Sequence, residues 1–277
     1  NWRVYRATDS ALPHRAVYAL LETVSPQSGK CLWVGTNGGG LARFEGGVWT
    51  TFDTTNAGLP SNNVRSLLET RYNRSNSILW IGLNAGGVVQ FEYGKWIKFD
   101  TRFGGLKHDN VRSLMESVES EGYAFWFCTH NGLTRYRNDR WVTFTPDNSG
   151  IPVKSVTSVL LTSDKRLLVG TWGGRLAIAD YDGEPKKWRV LDTGNSALPD
   201  NRVTVLAELG DQKLYVGTTN GLMLLEGEAL SPFPDQLLSK TRVETVAETV
   251  DRQGRRALWF GRYNGGLASY DDGNLKV

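Results

Sequence analysis

Apolar residues come in short runs of five to seven along this chain, broken by Gly, Asn, Asp and Pro. No segment sustains the 3.6-residue period of an amphipathic helix. One stretch shows the pattern: VRSLLET at 64–70, ILWIGL at 78–83, GVVQFE at 87–92 and KWIKFD at 95–100. Rich in Val, Ile, Phe and Trp, these runs predict four strands, and the pattern recurs. Its second run reappears as LWVGTNGGGL at 32–41, LWIGLNAGGVV at 79–89, FWFCTHNGL at 125–133, LLVGTWGGRL at 167–176, LYVGTTNGL at 214–222 and LWFGRYNGGL at 258–267. Between Trp33, Trp80, Trp126, Leu168, Tyr215 and Trp259 the spacings are 47, 46, 42, 47 and 44 residues. Six such units use up the 277 residues.

Four strands in each unit, repeated radially, predict an all-β fold: a six-bladed β-propeller with four antiparallel strands per blade, one domain over 1–277. A solenoid would need capping repeats at both ends, and none is visible. NWRVYR at 1–6 reads as the fourth strand of a unit, with Trp2 standing where Trp49, Trp96, Trp141 and Trp188 stand. The last unit stops after its third strand, LASY at 267–270. The N-terminal strand is therefore expected to close the ring on the last blade and cover its open edge, with Leu275–Val277 as the alternative.

The run LP-x-NNV-x-SL-x-E-T…LW-V/I-G-x-N-x-GG-x-x-x-F…W-x-x-F-D, clearest at 59–99, resembles the two-component regulator propeller repeat. The resemblance covers essentially the whole chain, in five good copies and a worn one at 203–243. It implies a propeller sensor region on the outer side of the bacterial inner membrane, hence periplasmic or extracellular, often reading saccharides for a histidine kinase. Familiar members carry longer arrays and further domains. The residues themselves read as packing. The second strand is expected between neighbouring blades, and the pairs Trp49/Phe52, Trp96/Phe99 and Trp141/Phe144 are expected to fill the wedge between them. Nine of the ten tryptophans stand at repeat positions, and Trp172 alone does not.

A 40% hydrophobic content excludes wholesale disorder, and a net charge of +3 argues against a nucleic-acid partner. Cys31 and Cys128 lie 97 positions apart, which rules out a disulfide scaffold or a Cys-based zinc site; both are expected to be buried. No apolar stretch approaches the ~20 residues of a membrane-spanning helix, so no direct membrane insertion is expected. Asn1 carries neither an initiator Met nor a signal-peptide pattern, which predicts a processed chain or an excised domain. Gly38–Gly40 lacks the Lys-Ser/Thr of a phosphate cradle and opens a strand, so it reads as a turn needing positive φ. Glu22, Glu69, Glu116, Glu208 and Glu248 are expected to end their first strands as acids of the repeat. No Gly-x-Ser-x-Gly or His-Glu-x-x-His run occurs and no catalytic constellation is complete; the expectation is a non-catalytic protein with no cofactor and no metal.

In an up-and-down blade, the long loop before the first strand and the Gly-rich loop after the second emerge on one face, where binding usually resides. Those loops hold eleven basic against six acidic residues, a surplus of five that leaves the remainder at −2. His14, His108 and His130 also fall there. The position after the Thr of the Gly-rich loop reads Asn37, Asn84, His130, Trp172, Thr219, Tyr263, so amide, imidazole, indole, hydroxyl and phenol occupy one geometry. A second variable ring follows the first Val of the inner strand: Tyr18, Arg65, Arg112, Thr157, Thr204, Glu244. The candidate ligand-binding residues are Trp172, Tyr263, His130, Arg65, Arg112, Arg175, Asn37 and Asn84. Trp172, expected as an exposed indole beside Arg175, is the candidate for stacking on a sugar or ring. The expected partner is a saccharide or an anionic small molecule. The alternatives are a protein partner on the same face and, behind it, a propeller-type lyase or hydrolase.

Overall fold

The computed structural model describes every residue except 1–4, 9, 26–28, 72–76, 120–121, 252 and 272–273. The chain is all-β and divides into two compact units, 1–143 and 144–277. Unit 1 holds three blades. The first is β1 (Val17–Ser25), β2 (Gly29–Thr36), β3 (Leu41–Glu45) and β4 (Val48–Phe52). The second is β5 (Val64–Arg71), β6 (Ser77–Leu83), β7 (Val88–Glu92) and β8 (Lys95–Phe99). The third is β9 (Val111–Glu119), β10 (Gly122–Thr129), β11 (Gly132–Arg137) and β12 (Arg140–Phe144), which ends at the unit boundary. Unit 2 begins with β13 (Val156–Leu161), β14 (Arg166–Thr171), β15 (Arg175–Tyr181) and β16 (Pro185–Leu191). Then come β17 (Val203–Glu208), β18 (Leu214–Thr218), β19 (Gly221–Glu226) and β20 (Ala229–Pro232). The last blade is β21 (Val243–Val250), β22 (Arg256–Arg262), β23 (Gly266–Asp271) and β24 (Asn274–Lys276). Each blade is a four-stranded antiparallel sheet with its strands in chain order. This is the six-bladed, four-strand architecture the repeat predicts, and the six anchors all lie on second strands. Among the described residues no helix is long and apolar enough to cross a membrane.

Blades pack through the V-G-T run of the second strand. A Cβ on Gly35 would come within 2.6 Å of Val64 in the next blade, and one on Gly170 within 2.7 Å of Val203, so only glycine allows this approach. Val64, Val111 and Val203 are accordingly fully buried, whereas Val17, which leads unit 1, is 39% exposed. Further out, rings interleave between blades as expected: Trp33 with Phe91 at 6.0 Å, Phe52 with Trp96 at 5.5 Å, Trp80 with Phe125 at 4.9 Å and Phe99 with Trp141 at 5.6 Å. The tryptophan anchors, buried at Trp33, Trp80 and Trp126 and half-buried at Trp259, also need a partner for the indole N–H. Trp33, Trp80, Trp126 and Trp259 donate to the hydroxyls of Thr23, Thr70, Ser117 and Thr249 at 3.2, 3.1, 2.9 and 2.8 Å. The hydroxyl residue follows the repeat Glu on the first strand, so the E-T/S pair exists to satisfy the anchor.

Two expectations are corrected. The fourth strand of the last blade is the C-terminal tail: Asn274, Leu275 and Lys276 pair with Asp271, Tyr270 and Ser269. Only two residues separate β23 from β24, so the hairpin closes at far less entropic cost than recruiting a segment from the other end of the chain. Trp2 lies outside the described residues, and Tyr5 packs on Phe44 and Trp49 of the first blade, at 5.5 and 5.6 Å. The repeat glutamates do not all end their strands: Glu22, Glu69, Glu116 and Glu248 sit inside β1, β5, β9 and β21, and only Glu208 is terminal. Both cysteines are buried, and burial pushes the thiol of Cys128 far above its usual range.

Candidate functional site

The long loops and the Gly-rich loops do share a face, and a recurrent backbone bond joins them. The N–H groups of Asn37, Asn84, Trp172, Thr219 and Tyr263 donate to the carbonyls of Ala16, Asn63, Ser155, Arg202 and Arg242 at 2.9–3.1 Å. Each acceptor immediately precedes the first Val of its own blade. The residue after that Val is skipped in the pairing of all six blades, because a β-bulge falls between Val17 and Ala19, Val64 and Ser66, and at the matching points of β9, β13, β17 and β21. A bulge re-aims the side chain it carries. The bulged residues are Tyr18, Arg65, Arg112, Thr157, Thr204 and Glu244, the second variable ring. The two variable positions of a blade are thus fixed side by side by its backbone.

In unit 2 the aromatic candidates come together around arginines. The guanidinium of Arg242 lies 4.4 Å from the Tyr263 ring and 5.4 Å from the Trp172 ring, and that of Arg202 lies 5.9 Å from Trp172. Trp172 comes from the blade of β13–β16 yet reaches Arg242, two blades on. Tyr263 is 57% exposed, while Trp172 is half-buried, not the open indole the sequence suggested. Each arginine here holds a carboxylate: Arg202 grips Asp200 with Nε at 3.0 Å and a terminal nitrogen at 2.8 Å, and Arg242 pairs with Glu244. The Arg202 bond is the main reason the Asp200 carboxyl lies below its usual range. Arg175 does not join the stack as expected; its Nε is on Asp192 at 2.8 Å.

In unit 1 the candidate arginines Arg65 and Arg112 meet rings. Arg65 lies 4.1 Å over Tyr18, and Arg112 Nε donates to His130 Nε2 at 2.9 Å. His108 stacks obliquely on His130 with centroids 5.3 Å apart. Burial, then the charges of Arg112, His108 and Arg65, hold His130 below the usual imidazole range. Its neutral ring accepts from Arg112. His14 stands apart, accepting the Ala16 N–H at 3.1 Å beside a cavity of about 460 Å³ that it lines with Tyr5, Arg6 and Arg15. Asn37 and Asn84 serve the loops through their backbones: Asn37 bridges to Asn63, and the Asn84 carbonyl accepts the Ser61 hydroxyl at 2.7 Å.

Four residues therefore join the candidates: Arg202 and Arg242, which precede the first Val, and Tyr18 and His108. For the arginines a third variable position was the available signal, reading Ala16, Asn63, Asn110, Ser155, Arg202, Arg242.

Repeated four-stranded blades define a β-propeller. No protein-family model matches the chain, and no curated protein matches it in sequence. Solved structures do. The extracellular domain of a putative hybrid two-component system from B. thetaiotaomicron superposes with a TM-score of 0.74 at 17% identity, over 94% of this chain and 34% of that one. The extracellular domain of a putative one-component system from the same organism gives 0.69 at 19%, over 94% and 33%. A catalytically inactive virginiamycin B lyase from Staphylococcus aureus, solved with quinupristin, gives 0.65 at 16%, over 96% and 83%. The chain spans about a third of the two bacterial extracellular domains. At these identities the likeness is one of fold.

Proposed function

We propose that the chain is a non-catalytic recognition module, the ligand-reading part of a bacterial sensor facing the periplasm or the exterior. Its ligand is a ring-bearing anionic small molecule, and an acidic saccharide fits best. One observation carries this reading: at bulge and loop positions of fixed backbone geometry, on the loop face of each blade, the repeat varies toward arginines, aromatic rings and imidazole. Aromatic faces stack on sugar rings, and guanidinium forks take carboxylate or sulfate. The extracellular domains that share the fold support a sensor role. The likeness to a lyase makes turnover worth measuring beside binding. A thermal-shift screen of acidic and neutral oligosaccharides, with mass spectrometry of the recovered ligand, tests both. The acidic members should stabilise the protein and return unchanged; a cleaved product would replace this reading with an enzymatic one.

A further inference from the structure

Of the three bulged residues in unit 2, two are taken up by the packing of blades. The hydroxyls of Thr157 and Thr204 donate to the carbonyls of Val203, at 2.6 Å, and of Val243, each the first Val of the following blade. The third is Glu244, whose carboxylate has no proton to donate in that way and turns instead to Arg242, two residues back in the chain. The two arginine–carboxylate pairs beside Trp172 differ in how firmly they are held. Asp200 takes two guanidinium nitrogens of Arg202 and also the Arg202 N–H at 2.7 Å, and its side chain is only 19% exposed. Glu244 is 39% exposed, and its contact with Arg242 is not aligned as a hydrogen bond, so Arg242 Nε is shut from solvent without one. Yet Arg242 is the guanidinium that lies against both rings, Tyr263 and Trp172.

We propose that Glu244 is a specificity-determining residue: its carboxylate holds the place on Arg242 that the acid group of the ligand takes, and an incoming carboxylate or sulfate displaces it. The inference rests on the loop face being the ligand face. It deepens that reading by assigning the acid group to Arg242, beside Tyr263 and Trp172, all within unit 2. The exchange leaves the charge at the guanidinium unchanged, because one anion departs as another arrives and Glu244 swings into solvent. Coulomb attraction to Arg242 is therefore largely cancelled, and charge alone does not secure a ligand here. Geometry does. A fork of two acid oxygens supplies the aligned bonds to Arg242 that Glu244 does not make. A ring attached to that acid gains Tyr263, which is well exposed, as a stacking surface. Glu244 thus filters out bare anions and passes acids carried on a ring. An uncharged ring has no need to displace it.

Benzoate is a suitable probe, a ring that carries one carboxylate, with benzyl alcohol as its uncharged counterpart. Each is titrated into the full chain at constant ionic strength and followed by NMR. Glu244→Gln should tighten benzoate by about two- to fivefold, the range that loss of an exposed competing ion pair allows, and leave benzyl alcohol unchanged. Arg242→Met should lose benzoate in either background. Benzoate affinity indifferent to Glu244→Gln, an equal gain for benzyl alcohol, or no benzoate binding to the Gln variant would overturn the proposal. Benzoate behaving as expected while no saccharide binds would keep this inference and remove the saccharide from the proposed function. An acidic oligosaccharide whose affinity ignores Glu244→Gln would do the reverse.

Discussion

Arg175 opens β15 in a backbone conformation suited to glycine. Its φ is +108°, and the equivalent residues of the other five blades are Gly40, Gly87, Gly132, Gly221 and Gly266, at +84°, +74°, +105°, +135° and +68°. The choice of glycine has a second, steric cause: a Cβ on Gly40 would run into the carbonyl oxygen of Phe52, and one on Gly87 into that of Phe99, each closing a fourth strand. Holding a non-glycine residue in such a conformation costs on the order of 1–3 kcal/mol. The compensation is the Arg175–Asp192 pair, with side chains 46% and 21% exposed, which contributes roughly 0.2–1 kcal/mol after solvent screening. A glycine would also loosen the unfolded chain, by about 0.4–1 kcal/mol. Strain outweighs the two opposing effects by a modest margin. Arg175→Gly should therefore stabilise the protein by about 0.5–1 kcal/mol, raising Tm by roughly 1–4 °C. Urea unfolding with an unchanged slope, alongside calorimetry, measures this. A lowered Tm would refute the strain argument and make the ion pair the dominant effect.

Trp126→Ala, at a fully buried anchor, should cost about 3–5 kcal/mol in chemical unfolding. Thr70→Val keeps the shape of the side chain but removes the acceptor of the Trp80 indole N–H, and should cost about 1–3 kcal/mol. The Asp100 carboxyl is held far below the usual carboxylate range by the Lys98 ammonium at 2.8 Å, with help from Arg102 and from the N–H groups of Arg102 and Phe103, against the opposing effect of burial. A depressed folded-state pKa stabilises fully above the ordinary carboxylate pKa and is lost as pH falls through the folded value. Unfolding free energies of the wild type and Asp100→Asn should thus differ at pH 7, and the gap should narrow steadily below about pH 4.

The blades were legible in the sequence because they rest on local rules: apolar runs of strand length, turn glycines and an anchor spaced by about 45 residues. The shared loop face of each blade was legible too, since strand order alone puts the long and Gly-rich loops together. What escaped depended on geometry that a linear pattern does not carry. The repeat glutamates read as strand ends, yet the hydroxyl residue after four of them serves the indole of the following strand; where the anchor is Tyr215 the matching residue is Leu209. The bulge was invisible because the residue types of the inner strand do not say which one the ladder leaves unpaired. Trp172 read as exposed because it stands off the repeat, whereas two arginines from later blades cover it. Charge counting placed a surplus of five on the face but not its distribution: carboxylates hold Arg175, Arg202 and Arg242 in unit 2, while Arg65 and Arg112 meet rings in unit 1.

Calorimetric titration of the tightest-binding acidic oligosaccharide tests the central claim most directly, with two single variants compared. Trp172→Ala alters the Gly-rich-loop face, and Tyr93→Ala alters an exposed ring in the turn between β7 and β8, at the other end of its blade. Recognition through the loop face predicts that Trp172→Ala weakens binding by about 1–3 kcal/mol, roughly 5- to 150-fold, while Tyr93→Ala leaves it unchanged. Binding that survives Trp172→Ala intact, or that falls with Tyr93→Ala instead, would contradict it.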